Sequence, residues 1–242
     1  MIPISNTTGK FLLTIISLSA CALAREGTEW DTAFWYNAND DKLPRVLLVG
    51  DSICNGYQIQ VRDELAGVAY VSFWATSKCV TDRSYLKQLA YVLEEYPYKV
   101  VHFNNGLHSL ATDPKAWEGG ARAALALIHE KAPAAKIIWA SSTPIKDENR
   151  MPRVKALNEI GERIAREKQL PVDDLFALMS PLNRDTFWTD TYHFSPEARK
   201  LQAKQVAGFV RAALDGKAAS KAEAHSALEG AASATGPDGP VK

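Results

Sequence analysis

Short apolar runs alternate with amphipathic stretches along most of the chain. Five runs have the length and composition of buried strands: residues 45–50, 68–74, 99–104, 136–140 and 170–175. The first, Arg45-Val-Leu-Leu-Val-Gly50, is nearly continuous in apolar side chains, as a strand buried on both faces requires. Five segments carry apolar side chains with a helical period: residues 58–66, 82–96, 117–131, 154–168 and 196–214. This alternation predicts an α/β fold with a mostly parallel sheet covered by helices on both faces.

Two helices carry more detailed predictions. In the first, the spacing of apolar side chains places Ile59, Val61 and Leu65 towards the core. In the last, Ser195 is placed to cap the helix and Pro196 to occupy its first position. Functional sites of open parallel sheets collect at the carboxyl ends of the strands, so we expect the chemistry there.

The N-terminal end has the pattern of an export signal. A polar start is followed by the apolar run Phe11–Ala20, which is too short to span a bilayer but has the length found in signal peptides. Cleavage after Ala24 would follow the A-x-A pattern, whereas Leu18–Cys21 resembles a bacterial lipobox, in which Cys21 becomes the lipidated N-terminus. Three cysteines are awkward in an oxidising compartment unless one is otherwise engaged, which favours the lipobox.

The chain therefore divides into four parts. We expect a signal peptide at residues 1–24, a polar and aromatic lead-in at 25–43, and a single domain at 44–215. Residues 216–242 contain almost no large apolar side chain and cannot offset the entropy lost on ordering, so they are predicted to be disordered. We expect the protein to be exported to the periplasm or cell surface, with membrane attachment if Cys21 is lipidated.

Charge and motif content exclude several classes of function. Lys plus Arg and Asp plus Glu both total 28, so no basic excess is available to neutralise nucleic-acid phosphates. The sequence has no metal-ligand spacing of His, Cys and Asp and no glycine-rich phosphate loop. We expect neither a nucleic-acid partner, nor a metal, nor a cofactor.

A serine lies directly after the first predicted strand, in Gly50-Asp51-Ser52. A turn from a strand into a helix holds a serine rigidly while leaving its hydroxyl open, and the helix N-terminus favours developing negative charge. The tripeptide alone equally describes a tight turn in which Ser52 caps the helix. The pattern differs from the G-x-S-x-G turn of α/β-hydrolases.

A second motif, Asp190-Thr-Tyr-His193, lies shortly before the last predicted helix. A serine hydroxyl needs an imidazole to take its proton, and the imidazole needs a carboxylate to fix its tautomer. Alone, the motif also describes a solvated loop before a helix. The order Ser52, Asp190, His193 after a strand–turn–helix unit favours nucleophilic catalysis.

Together the two motifs resemble the SGNH (GDSL-type) hydrolase family over roughly residues 44–214. The resemblance implies a three-layer α/β/α sandwich of flavodoxin-like topology and ester hydrolysis through an acyl-serine intermediate. It assigns Ser52 as nucleophile, with His193 and Asp190 as its partners.

The family's oxyanion hole implies three donors: the N–H of the nucleophile, a glycine N–H in a second block and an asparagine side chain in a third. Here the third block reads Asn104-Asn-Gly-Leu-His108, so His108 replaces the asparagine, and the second block has Cys79 near the glycine position. The candidate donors are the groups of Ser52, Cys79, Asn104, Gly106 and His108. Asp51 is expected in a supporting role, and His108 either donates to the oxyanion or orients Asp51 or the substrate.

Two further expectations concern cysteines and aromatic residues near these blocks. Cys54 and Cys79 either form a disulfide that joins two catalytic loops or remain as two buried free thiols. Trp188 and Tyr192 flank the predicted triad, and they either belong to the core or pack against a sugar ring. His102 lies in the middle of a strand and is interpreted as a core residue.

The favoured function is an exported esterase that removes short acyl groups, acetyl above all, from a carbohydrate or another small ester. This choice of substrate rests on analogy within the family. A lipase-like esterase would need an apolar channel for a long acyl chain, and no insertion supplies one. A catalytically inactive domain that binds acylated glycans is the alternative from another class, favoured by the altered second and third blocks.

Overall fold

The computed structural model describes residues 27–217 of the chain. The predicted signal peptide, the lipobox with Cys21, and the predicted tail from residue 218 onward lie outside this range. Within it, no helix combines the length and the apolar character needed to cross a bilayer.

Six strands form one sheet in the order β1-β3-β2-β4-β5-β6. Their bounds are β1 Asp31–Trp35, β2 Arg45–Gly50, β3 Tyr70–Thr76, β4 Tyr98–Phe103, β5 Lys136–Ala140 and β6 Val172–Asp173. Strand β1 pairs antiparallel with β3, and every other pairing is parallel. Without β1, the remaining five strands have the flavodoxin-like order, which reverses between β2 and β4.

Helices cover both faces of this sheet and produce the predicted three layers. They are α1 Ser52–Glu64, α2 Tyr85–Glu94, α3 Pro114–Lys131, α4 Met151–Glu167, α5 Leu175–Met179, α6 Arg184–Phe187 and α7 Pro196–Asp215. Helix α1 packs against α7, whereas α3 packs between α2 and α4. One further 3-10 turn, Leu107–Ser109, follows β4.

Several predicted elements are confirmed at their bounds. Strands β2 and β5 begin and end at the predicted residues, because continuous apolar runs between polar ends leave little choice of register. Helix α7 begins at Pro196, and the Ser195 hydroxyl accepts a hydrogen bond from the N–H of Ala198. It ends at Asp215 before Gly216, whose φ of 74° is the left-handed conformation that stops a helix.

The first helix differs from its prediction. It begins at Ser52 rather than at residue 58, so Tyr57, Val61 and Leu65 face the core at intervals of one turn. Ile59 lies on the other side of this helix and is 47% exposed. The prediction that Ile59 faces the core is therefore wrong.

The lead-in is part of the domain rather than a segment before it. Residues 31–35 form the edge strand β1, in register with residues 72–76 of β3. The turn that follows this strand is held by Arg45, which donates hydrogen bonds of 2.7 Å to the carbonyls of Tyr36 and Asn37. A period-two pattern is weak over five residues, which is why the sequence did not reveal this strand.

Candidate active site

Ser52 is the first residue of α1 and lies immediately beyond the carboxyl end of β2. Asp51 caps the helix, and its Oδ1 accepts a hydrogen bond of 2.9 Å from the N–H of Ile53. A Cβ atom on Gly50 would lie 2.5 Å from the Cβ of Cys54, so this tight turn requires glycine. Local sequence thus directs the Ser52 hydroxyl away from the core at a helix N-terminus.

The loop before α7 presents Asp190 and His193 in a fixed turn. Trp188 and Phe194 form an isolated antiparallel bridge that closes the loop, and Thr189 donates to the carbonyl of His193 at 2.9 Å. Oδ1 of Asp190 accepts hydrogen bonds from the backbone N–H groups of Tyr192, at 2.7 Å, and His193, at 2.8 Å. The carboxylate therefore organises the turn that carries the histidine.

The structure brings Ser52, His193 and Asp190 into one hydrogen-bonded chain. Nε2 of His193 lies 2.8 Å from Oγ of Ser52, and its Nδ1 lies 2.7 Å from Oδ2 of Asp190. An ionised carboxylate can only accept, so the proton of the neutral ring lies on Nδ1. Nε2 is then free to accept the serine proton, which is the arrangement that makes a serine nucleophilic.

Electrostatics keep the Asp190 carboxyl ionised. Desolvation raises its pKa, but hydrogen bonds from the backbone of His193 and Tyr192 and from the His193 ring outweigh that effect and lower the pKa to about 2. The Asp190 carboxylate remains 53% exposed and the His193 imidazole 37% exposed, so this pair lies at the protein surface.

Comparison with solved structures places this geometry in a known fold. An acetyl xylan esterase, AlAXEase, superposes with a TM-score of 0.57 at 15% identity, over 67% of this chain and 97% of that one. A GDSL-like lipase from Bacteroides thetaiotaomicron gives 0.53 at 15% identity, over 71% and 88%. A carbohydrate esterase family 3 structure from Talaromyces cellulolyticus gives 0.56 at 14% identity, over 71% and 99%. The chain has the GDSL-type hydrolase fold.

Sequence comparison gives no match, in contrast to the comparison of structures. No protein-family model matches it, and no curated protein sequence matches it. The likeness to GDSL-type structures is therefore carried by the fold, in which the loops after β2, β3 and β4 meet at one edge of the sheet.

Two of the predicted oxyanion donors are already engaged, which corrects those assignments. The N–H of Cys79 donates to Oδ2 of Asp82 at 2.8 Å. The Nδ2 of Asn104 donates to the carbonyl of Ala140 at 2.8 Å and contacts Oγ of Ser142 at 3.5 Å. An amide nitrogen has two hydrogens, so both donors of Asn104 are directed at the end of β5 and none remains for an oxyanion.

Gly106 has a packing role beside the candidate site. A Cβ atom built on it would lie 1.7 Å from Oγ of Ser142, so only glycine lets the turn after β4 approach the loop after β5. The assignments of Ser52, Gly106 and His108 as donors are not corrected by these contacts. Ser52 is the first helical residue, so its N–H has no partner inside the helix. The His108 side chain is half-buried on the adjoining 3-10 turn.

The two cysteines of the described region are free thiols, so the proposed disulfide is absent. Cys54 is packed under the Gly50 turn on α1, and burial raises the pKa of its thiol above the usual range. The Cys79 sulfur instead accepts a hydrogen bond of 3.1 Å from the hydroxyl of Thr81 and contacts the hydroxyl oxygen of Ser109 at 3.1 Å. Of the two interpretations, the structure has the pair of buried thiols.

Asn105, which the sequence offered beside Asn104 as an oxyanion donor, instead organises this edge of the sheet. Its Nδ2 donates to the carbonyl of Lys78 at 2.8 Å, and its Oδ1 accepts from the N–H of Val80 and the hydroxyl of Ser109. It thereby ties the loop after β3 to the 3-10 turn after β4. The only signal in the sequence was a second asparagine at a strand end.

The aromatic and histidine side chains near the site divide between core and surface. Trp188 is 4% exposed and packs at a tilt against Phe194, with ring centroids 4.6 Å apart, so it is a core residue and offers no sugar platform. Tyr192 is half-buried, and its ring and hydroxyl contact Arg150. His102 is fully buried in β4, as predicted for a core residue. No cluster of metal-ligating side chains occurs within residues 27–217.

Proposed function

We propose that the protein is an exported serine esterase that hydrolyses short acyl esters, acetyl esters of carbohydrates above all. The observation that carries the proposal is the hydrogen-bonded chain from Asp190 through His193 to Ser52 at the N-terminus of α1. This arrangement supplies a base for the hydroxyl and a carboxylate for the base.

The chemistry follows from the two short contacts of the imidazole. Oγ of Ser52 attacks the ester carbonyl carbon while its proton passes to Nε2 of His193. The tetrahedral intermediate collapses, the bond to the alcohol oxygen breaks, and the imidazolium returns the proton to the leaving alcohol. Water then repeats both steps on the acyl-serine, releasing the acid and restoring the hydroxyl.

Negative charge on the carbonyl oxygen needs donors that are not already engaged. The N–H of Ser52 lies at the positive end of the α1 dipole and is placed to donate. We assign the second donor to the His108 ring, which lies on the 3-10 turn after β4 at the position where the family resemblance expects a side-chain donor.

Support for a short acyl group comes from the solved structures that share the fold. The similar solved structures include an acetyl xylan esterase and a carbohydrate esterase family 3 protein, which supports a carbohydrate ester as substrate. Rates on p-nitrophenyl esters should fall steadily from acetate to palmitate; a maximum at long chains would favour the lipase-like alternative.

Export and attachment are proposed from the N-terminal pattern alone. Processing at the lipobox would leave a lipidated Cys21, whereas cleavage after Ala24 would leave Arg25 as the first residue. Intact mass of the mature protein distinguishes the two, and Cys21→Ser should abolish membrane association only if the lipobox is used.

The direct test is replacement of the nucleophile. Ser52→Ala should reduce acetate release from acetylated xylan and from p-nitrophenyl acetate by at least about a thousandfold, with an unchanged unfolding midpoint. Ser84→Ala is the matched control, since its hydroxyl makes no cap hydrogen bond on α2. If Ser52→Ala retains wild-type turnover, Ser52 is not the nucleophile.

A binding domain without activity is the second candidate, favoured by the engaged N–H of Cys79 and amide of Asn104. Such a domain would bind acetylated glycans equally well before and after Ser52→Ala. It would release no acetate in either form.

A further inference from the structure

Trp30 lies at the edge of the active site although it belongs to the N-terminal lead-in. It immediately precedes β1, whose first residue Asp31 pairs with Thr76 at the carboxyl end of β3. Its ring meets the imidazole of His108 edge to face, with centroids 6.1 Å apart and planes at 76°. Among the ring contacts of residues 27–217, Trp30 makes this one alone.

The contact between Trp30 and His108 lies at the carboxyl end of the sheet, where Ser52 follows β2. In the sheet, β2 lies between β3 and β4, so Trp30 beside β3 and His108 after β4 meet over the end of β2. Ser52 begins α1 at that end, and Leu107 lines one small cavity together with Asp51 and Ile53. The Trp30–His108 pair thus borders the proposed site.

Trp30 is held in place by its backbone and by its neighbour. Its N–H donates to Oγ of Ser77 at 2.9 Å, and its carbonyl accepts from the N–H of Ser77 and the hydroxyl of Thr76, both at 3.1 Å. The next residue, Asp31, contacts Nζ of Lys78 at 2.6 Å. The Lys78 side chain is only 6% exposed, so this ion pair ties β1 firmly to the loop after β3.

These backbone hydrogen bonds continue the pairing of β1 with β3, and the Trp30 ring packs on the edge of the hydrophobic core. Trp30 is half-buried, and its backbone is fixed where its ring can restrict the rotation of one imidazole. Edge-to-face aromatic contacts have a preferred geometry and therefore orient the partner ring as well as burying it. Orientation matters for His108, because an oxyanion donor acts only when its N–H is directed at the developing charge.

We propose that Trp30 is a positioning residue that holds the His108 imidazole towards the Ser52 site, so that the N-terminal strand takes part in the esterase reaction. The inference rests on the proposed function and adds to it a residue outside the family's motif blocks. Because Trp30 acts through His108, it should affect turnover and leave substrate affinity largely unchanged.

A double-mutant cycle tests the coupling. Trp30→Ala and His108→Ala should each lower kcat on p-nitrophenyl acetate by about tenfold, with KM changed by less than about twofold. In the His108→Ala background, Trp30→Ala should have almost no further effect on kcat, since the ring it positions is gone. Trp30→Phe retains a ring edge and should recover most of the turnover.

Two controls separate positioning from stability. Trp35→Ala removes an indole from the other end of β1, where its Nε1 donates to Oη of Tyr98 at 2.9 Å, and it should lower the unfolding midpoint with kcat nearly unchanged. Trp30→Leu keeps an apolar side chain without a ring, and replaces Trp30→Ala in the cycle if that variant does not fold.

The outcomes are distinct. Independent effects of the Trp30 and His108 changes, or an unchanged kcat in Trp30→Leu, overturn the positioning role. Labelling of Ser52 by a fluorophosphonate reports on the proposed function separately. If Ser52 is labelled but the Trp30 and His108 changes have independent effects on kcat, only this inference is overturned. If wild-type protein is not labelled, the esterase assignment and this inference are overturned together.

Discussion

The imidazole of His193 contacts a carboxylate on one nitrogen and a hydroxyl on the other, and the two contacts have different tasks. Asp190 holds the ring proton on Nδ1 while also accepting two backbone hydrogen bonds that shape the turn. The Ser52 hydroxyl donates its proton to the unprotonated Nε2. The role of each residue thus depends on which atom faces which, more than on the residue types alone.

Asp190→Asn should lower kcat on p-nitrophenyl acetate by about 10³- to 10⁴-fold with little change in fold. The amide can donate to Nδ1, which moves the ring proton to Nε2 and removes the base that Ser52 needs. Steady-state kinetics check this prediction, with Asp185→Asn as the matched control because that carboxylate is 99% exposed. Equal losses in both variants would contradict it.

Acid stability should depend on the same carboxylate. Its pKa is lowered from 3.8 to about 2 in the folded protein, so its contribution to stability is complete above the unfolded pKa and is lost as pH falls through the folded one. Unfolding midpoints of wild type and Asp190→Asn should differ at pH 5 and converge towards pH 2. A difference that is constant over this range would contradict the prediction.

Thiol reactivity should follow burial. In the Cys21→Ser variant, Cys54 and Cys79 should both react with a thiol reagent once the unreduced protein is denatured, and neither should react in the folded state. Finding no thiol after denaturation without reductant would show a disulfide. The control is the same denatured protein after reduction, in which both thiols should react.

At the level of elements, three buried polar side chains connect β4, β6 and α7 by hydrogen bonds. Nε2 of His102 lies 2.8 Å from Oδ2 of Asp173, whose Oδ1 accepts a hydrogen bond from Gln205 at 2.7 Å. Strand β6 has only two residues, so its backbone pairing with β5 contributes little. Side-chain hydrogen bonds therefore hold this edge of the sheet.

Asp173→Ala should reduce the free energy of unfolding by about 3–5 kcal/mol, because it leaves His102 and Gln205 buried without their partner. Urea denaturation measures the loss. Asp215→Ala is the control: its carboxylate pairs with Lys217 at the surface, and its removal should cost less than about 1 kcal/mol. Similar losses in the two variants would show that the buried pair is not stabilising.

For the whole molecule, the predictable part was what the chain specifies locally. Continuous apolar runs predicted β2 and β5, a cap and a proline predicted the start of α7, and two motifs predicted which side chains meet. The GDSL-type fold follows from the alternation of these elements, since parallel strands with helical crossovers place all the carboxyl ends at one edge.

The parts that could not be predicted depend on competition between distant groups. From the sequence, the Cys79 N–H and the Asn104 amide both qualify as oxyanion donors. In the folded protein, Asp82 accepts a hydrogen bond from the first and the carbonyl of Ala140 accepts one from the second. Strand β1 depends on the ion pair of Asp31 with Lys78, which lies 47 residues further along the chain. Such choices appear only once the chain is folded.

The most direct measurement of the central claim is the reaction of the protein with a fluorophosphonate, followed by peptide mapping. An activated serine should form one covalent adduct on the peptide that contains Ser52, and His193→Ala should slow this reaction by at least about a hundredfold. Wild-type protein that remains unlabelled, or that is labelled at the same rate in His193→Ala, would contradict the account.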